Sequence, residues 1–467
     1  MNNKQLKRWE KLVLLVFLLL ALDQHKATAQ YYFTLDQSID YALQHSLALS
    51  NNQLDVAQSE WKIKEIKSAG LPQLNTKLEY QYFFNLPTQL LPNFISPAVY
   101  GVLFQEGIVP PKEVRLGSPL PVQFGTKNNT TASATLSQLV FSGSYLVGLQ
   151  ASKVLKSLTQ KQLHRTEKEL RKEITKAYYT ALVVSENKAL IERNLQLLDK
   201  ALFEASQYYK NGFIEQLDID KLQLSMSTLM TQIENLNRQV QLTNSVLKFQ
   251  MSMPLTDSLI LVDSLSSYLN AALPTNRSEQ RIEFQLLAMQ KELNLLNMKR
   301  YKMNRLPTVA AFASASANRQ SNAFDMFNPR NGWFPTTLFG LNISLNIFDS
   351  GLAKAQIQQA SIDNKKIANG IEITRQAVAL EIAKSKIDYQ NAVNSLNGET
   401  RNMALAEKIY TKTRIKYKEG VGSSTEVTQA EGAMFQSQSA YINAIYQLLL
   451  AKTDLNAAFG GFESDNQ

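Results

Sequence analysis

The 467-residue chain is 44% hydrophobic, with no cysteine, three histidines and a formal net charge of +9; this is the composition of a folded protein, not of a disordered one. Having no cysteine, it has no disulfide even in an oxidising compartment, so packing or assembly must stabilise it. Its basic residues are interspersed with acids along helical stretches and form no stripe, which excludes nucleic acid as the expected partner.

Lys4, Lys7, Arg8 and Lys11 precede an apolar run from Leu12 to Leu22, and Ala27-Thr28-Ala29 comes next. This order predicts a secretory signal peptide over residues 1–29, cleaved after Ala29. The alternative is an uncleaved anchor, but the run is well short of the roughly 20 residues of a spanning helix. Gln30 would then lead the mature chain, and with no cysteine there an acyl anchor is excluded.

After Pro72, Leu74, Thr76, Leu78, Tyr80 and Tyr82 alternate with Asn75, Lys77, Glu79 and Gln81, the period-two pattern of a strand over 74–82. Residues 83–130 hold seven of the thirteen prolines and many aromatics, which predicts a long loop suited to the outer rim of a barrel. Further strands are predicted at 132–141, 309–317 and 340–348, the last with Leu341, Ile343, Leu345 and Ile347 on one face.

From Leu149 to Asn211 there is neither glycine nor proline, so one helix can run on the order of 90 Å. Leu170, Ile174, Ala177, Ala181, Val184, Lys188, Ile191, Leu195, Leu198, Leu202, Ala205 and Tyr209 succeed one another in steps of four and three, a heptad seam. The seam resumes after Asn211-Gly212 from Leu222 to Leu247, predicting an antiparallel helical hairpin. Residues 253–280, with Pro254, Pro274 and an apolar stretch at 259–262, read as a connector and suit a collar around the helices.

Beyond the connector the chain repeats itself. Gly143 to Gly212 and Gly351 to Gly420 are each 69 residues apart, and the turns read Tyr209-Lys210-Asn211-Gly212 and Tyr417-Lys418-Glu419-Gly420. Asp218 and Glu426 each lie six residues beyond their glycine, and Leu71-Pro72 corresponds to Leu306-Pro307. The organisation is therefore a signal peptide (1–29), a first repeat (30–252), a connector (253–280) and a second repeat (281–467).

Four strands cannot close a barrel, and an open sheet edge cannot sit in lipid with its backbone groups unpaired. Three copies would supply 12 strands; two would supply eight, whose interior fills with side chains. His45 and His164 lie in helical patterns, and no phosphate-cradling loop or nucleophile elbow occurs. No enzyme activity, cofactor or metal is expected, although carboxylate pairs are not ruled out by pattern alone.

Phe33-Thr34-Leu35-Asp36-Gln37-Ser38-Ile39-Asp40-Tyr41-Ala42-Leu43, the two Leu-Pro strand starts, Phe141-Ser142-Gly143, Phe348-Asp349-Ser350-Gly351 and the two Tyr-Lys-x-Gly turns together resemble the TolC family of outer-membrane efflux proteins. The resemblance covers nearly all of the chain after residue 29. It implies a mainly α fold with transmembrane β: a homotrimer whose shared 12-stranded barrel, four strands per chain, sits in outer-membrane lipid and continues as a long α-helical coiled-coil barrel through the periplasm. It also implies a periplasmic adaptor protein as partner and, through it, an inner-membrane pump.

By the same resemblance the hairpin turns form a periplasmic aperture, with Tyr417, Gly420, Glu426 and Gln429 in the second repeat and Tyr209, Gly212 and Asp218 in the first. Some members carry two acids, six and nine residues beyond the second glycine, that ring the aperture. Here Glu426 holds the first place and Gln429 the second, which predicts weaker cation selectivity. Equally, Glu426 can serve the start of the next helix, where an acid is favoured. The function implied is an exit duct for small molecules in a tripartite pump; a duct for secreted polypeptides and a non-conducting stalk remain the alternatives.

Overall fold

The computed structural model describes residues 30–93, 95–113, 117–269, 277–325 and 332–462; the expected signal peptide lies outside them. In chain order the elements are β1 (Gln30–Phe33), α1 (Leu35–His45), α2 (Leu47–Ser68), β2 (Gln73–Tyr82), β3 (Thr88–Asn93), α3 (Ile95–Gln105), β4 (Gly117–Gln123), β5 (Asn128–Phe141), α4 (Gly143–Lys210) and α5 (Gln216–Gln250). Then come β6 (Ser258–Leu261), α6 (Leu265–Leu269), a 3-10 turn (Ser278–Gln280), α7 (Ile282–Met303), β7 (Thr308–Ser321), β8 (Trp333–Ser344), α8 (Leu352–Lys418) and α9 (Ser424–Ala458). Two compact units result, one within 1–59, 155–292 and 365–467, the other within 60–154 and 293–364. Each repeat contributes to both.

The second unit is built on an antiparallel sheet in the order β2-β5-β7-β8. Leu74 faces Leu136, which faces Ala313, which faces Phe339. Opposite residues share a face, so the two faces are fixed by alternation. One carries Leu74, Leu78, Ala132, Ala315, Leu341 and Ile343; the other carries Asn75, Lys77, Ser133, Thr135, Ser314 and Asn342. Leu78 and Ile343 on the apolar face stay 74% and 65% exposed, opposite to the pattern of a sheet that covers a soluble core. On the polar face Phe312 lies against Gly340 directly across the ladder, filling the space a side chain would take.

β2 and β8 form the two edges and, among the described residues, pair with no further strand. Both strand-to-strand connections, 83–127 and 322–332, leave the same end of the sheet, and the helices α2, α4 and α7 meet the other. The 83–127 connection is more than the loop expected, since it holds β3, α3 and β4. The last strand also corrects the sequence reading of 340–348: it runs Trp333–Ser344. Alternation continues through Leu345 and Ile347, but Asp349 turns the chain, its carboxylate accepting from the N–H groups of Gly351 at 3.0 Å and Ala353 at 2.9 Å. That is the start of α8, at whose N-terminus a carboxylate is favoured.

The first unit is helical. Val184, Ile191, Leu198, Leu229 and Leu236 form one buried cluster, joined by Leu195, Leu222, Met226, Ile233 and Val240, so the heptad seams of α4 and α5 pack as expected. Lys188, out of character in the seam, turns to Glu192 at 3.5 Å. A larger core surrounds the middle of α4, where Ile174, Tyr178, Ala181 and Leu182 meet Leu35, Ala42, Leu247, Met251 and Leu449. Here the helix is buried all round, which a two-faced heptad does not anticipate.

The connector does carry a strand, β6, and it pairs in parallel with β1, Tyr31 opposite Leu259 and Phe33 opposite Leu261. Asp263 secures this junction. Its carboxylate accepts from Leu35 N–H at 2.8 Å, from Tyr178 Oη at 2.7 Å and from Tyr268 Oη. Burial would push its pKa up, but the bonds from Tyr268, Tyr178 and Leu35 prevail and hold it low.

Candidate aperture at the hairpin turns

Both turns are made by glycine in the left-handed region, Gly212 at φ +74 and Gly420 at φ +76, where any other residue is strained. Each glycine N–H closes the preceding helix by donating to the carbonyl of the tyrosine three residues earlier, Tyr209 at 2.9 Å and Tyr417 at 3.1 Å. The next helix then begins differently in the two repeats. Ser423 caps α9, its Oγ accepting from Glu426 N–H at 3.2 Å. Glu215, at the matching place before α5, makes no side-chain cap.

The turns are tied to each other. Ser424 Oγ donates to Asp218 Oδ1, and Lys221 Nζ donates to Ser424 Oγ and Thr425 Oγ1, both at 3.0 Å. Lys221 Nζ is itself 3.9 Å from Asp218. Tyr417 joins the same carboxylate: burial, then the negative charge of Asp218 and a hydrogen bond to it, raise the tyrosine pKa. One turn further into the helices, Glu204 of α4 receives Lys418 Nζ at 2.9 Å and Arg414 Nη2 at 3.2 Å from α8. The Lys418 hydrogen bond is the main cause of its lowered pKa.

Between these contacts lies a small cavity of about 60 Å³, lined by Tyr208, Leu222, Tyr410, Arg414 and Glu431 among others. Glu431 of α9 is only 3% exposed, and its carboxylate accepts no hydrogen bond among the described residues. Burial pushes its pKa up to about 7, against the pull of Arg414. Tyr410 opposite is raised too, by burial and then by the Glu431 charge.

Of the residues singled out in sequence, the structure brings Tyr417 and Asp218 together. Tyr209 is exposed, as are Glu426 and Gln429. Glu204, Lys221, Arg414, Ser424 and Glu431 were missed. Ser424 had a local signal in the Ser-Ser-Thr-Glu stretch that starts α9; Glu204, Lys221 and Arg414 carry none, because they meet partners about two hundred residues away in the chain, and Glu431 carries none because its burial is decided by packing. Among the described residues no cluster of acids and histidines fits a metal ion, and no helix is long and apolar enough to cross a membrane.

The family model described as "Outer membrane efflux protein" matches residues 284–461. Outer membrane protein TolC of Salmonella enteritidis is 19% identical over 353 residues, 71% of this chain and 69% of that protein. Among solved structures, CusC superposes with a TM-score of 0.70 at 16% identity, covering 94% of this chain and 96% of its own. The CmeC outer membrane channel of Campylobacter jejuni gives 0.69 at 14% identity, covering 93% and 87%. The hairpins, the sheet with its exposed apolar face and these likenesses agree: residues 284–461 match the outer membrane efflux protein family, and the chain has the fold of the TolC-like outer-membrane channels.

Proposed function

We propose that three copies of this chain close one 12-stranded barrel in the outer membrane and serve as the exit duct of a tripartite pump, passing small molecules from a periplasmic adaptor and an inner-membrane pump to the exterior. The observation that carries this reading is the sheet: four strands, an exposed apolar face, a polar face, and two unpaired edges, β2 and β8. In lipid each unpaired backbone group costs several kcal/mol, so β8 of one copy must pair with β2 of the next. Cyclic closure satisfies every edge at once. The apolar face then meets lipid and the polar face lines the lumen.

The hairpin turns are the natural gate. In the chain's own geometry the joint of Asp218, Ser424 and Tyr417 holds the two hairpins together, and breaking it frees them to move apart. Glu426, exposed beside it, would face the aperture, with Gln429 one turn on. The family is one of channels and not of enzymes, so the energy for transport would come from the pump.

The test is single-channel conductance of the purified protein in a planar bilayer, with its mass in detergent measured on the same sample. A trimer with a small, stable, cation-preferring conductance supports the duct. A monomeric mass with no conductance would sink it in favour of the stalk.

A further inference from the structure

The connection between β2 and β5 has no part in the four-stranded sheet or the hairpin turns, yet its described residues include two strands and a helix. Among the described residues β3 pairs with β4 and with no other strand, and α3 lies between them in the chain. From Tyr80 to Gln105 the sequence holds no charged residue. Val102 on α3 is 58% exposed and Leu90 on β3 is 70% exposed, with Val99 and Phe104 also in the open. A helix without a polar face and a lone two-stranded hairpin both need a cover to be stable in water.

Chemistry narrows what that cover is. Helices that lie on anionic lipid carry Lys or Arg along a polar face; α3 has none, and the charges that come after it, Glu106, Lys112, Glu113 and Arg115, cancel. With 11 residues α3 is too short to span a bilayer. Strand addition by a foreign peptide is hindered by Pro92 in β3 and by Pro119 and Pro121 in β4, which withdraw backbone donors. Packing of apolar side chains against a like surface remains.

The root of the insert says where that surface is. Phe83 N–H donates to Lys127 O at 2.8 Å, extending the β2–β5 ladder, so the insert rises from the outer end of β2. That strand is the unpaired edge to which the next copy's β8 must bond. Each insert is thus planted at a seam between copies, with an identical one at the next seam.

We propose that the β3–α3–β4 inserts of neighbouring copies pack on one another through α3 and form an apolar cap over the outer mouth of the barrel. This rests on the shared-barrel reading, and the partner is a second copy of this chain. Because the chain has no cysteine, Val102→Cys supplies a single thiol. The full-length protein carrying it, in vesicles of phospholipid and lipopolysaccharide, is oxidised with copper phenanthroline, each thiol giving one electron and one proton as the S–S bond forms.

Covalent dimer as the main product from a sample of trimeric mass is the expected result. A trimer that gives no dimer overturns the cap alone, whether the thiol stays open to an aqueous maleimide or is shielded by lipid. A monomeric mass removes both readings. In a second measurement residues 88–123 are replaced by a short Gly-Ser turn; conductance should rise severalfold, and an unchanged conductance in a correctly assembled trimer also overturns the cap.

Discussion

Gly212 and Gly420 turn the chain in the same left-handed conformation, with a tyrosine three residues before each and an acid six residues after. The use made of these matched positions is opposite. In the second repeat the tyrosine, Tyr417, is drawn in while the acid, Glu426, stays exposed; in the first the acid, Asp218, is engaged while Tyr209 stays exposed. The difference begins at the cap. Ser423 and Ser424 start α9 with hydroxyls that cap one helix and reach the other, whereas Glu215 and Gln216 offer α5 neither. The matched spacing gives the two turns the same register, and the hydroxyls of Ser423 and Ser424 let the second turn cap its own helix and bind the first.

The largest effect should come from removing that joint. Asp218→Ala with Tyr417→Phe deletes two partly buried hydrogen bonds to a carboxylate, each worth about 1.5–3 kcal/mol, so open probability in planar bilayers should rise by roughly 100-fold or more. Tyr209→Phe, the matched change in the other repeat, should leave it unaltered. Equal effects from the two tyrosines would erase the asymmetry between the repeats.

Glu431 gives the next effect and sets its direction with pH. Joined hairpins bury this carboxyl and raise its pKa from the ordinary 4.5 to about 7; hairpins that part expose it and restore the ordinary value. The joined state therefore holds the proton more tightly, and it loses stability as pH rises from about 5 to about 7, with the loss complete above that. The groups facing the carboxyl are Tyr410, Arg414, Tyr417 and Lys418 of α8, Glu204 and Tyr208 of α4, and Asp218 of α5. Glu204 is held lower, chiefly by Lys418, and Tyr410 and Tyr417 are pushed up by burial. Conductance should climb between pH 5 and 7 in the natural protein and stay flat in Glu431→Gln. A slope that survives the substitution would assign the titration elsewhere.

How far these features were legible in the sequence depends on the distance over which each is decided. The heptad seams and the two glycine turns rest on spacing within tens of residues, and both are where pattern places them. The end of β8 was misplaced because alternation ran on past it, through Leu345 and Ile347, until Asp349 capped the next helix. β1 escaped notice because four residues, Gln30–Phe33, are too few for a period, and only pairing with β6 across the chain defines it. Glu204 with Arg414, and Asp218 with Ser424, join residues 210 and 206 apart. Nothing local distinguishes such charges from those on any solvated helix face, and the burial of Glu431 is a property of three packed helices at once.

A smaller effect is expected at Glu204. Its pairs with Lys418 and Arg414 are part-exposed, and ion pairs of that kind contribute about 0.2–1 kcal/mol each. Glu204→Gln should raise open probability only a fewfold, and less at high salt, since screening weakens what it removes. A change as large as that of the Asp218 and Tyr417 pair would shift the weight of the joint from the turns to the helices behind them.

Glu426 should matter least to opening and most to what passes. Its backbone N–H is spent on the Ser423 cap, and its side chain is exposed, so Glu426→Gln removes no contact that joins the hairpins. In the proposed trimer it removes three negative charges from one ring, and Gln429 provides no second ring to replace them. Cation preference, read as the reversal potential across a salt gradient, should fall at low ionic strength and differ little from the natural protein near 1 M salt, where the screening length is about 3 Å. Gln429→Glu should do the reverse, building the absent ring on the same exposed face. If Glu426→Gln instead changes open probability and spares selectivity, the acid belongs to the helix start and not to the pore, and the two acids of the duplicated turns are closer in role than their surroundings suggest.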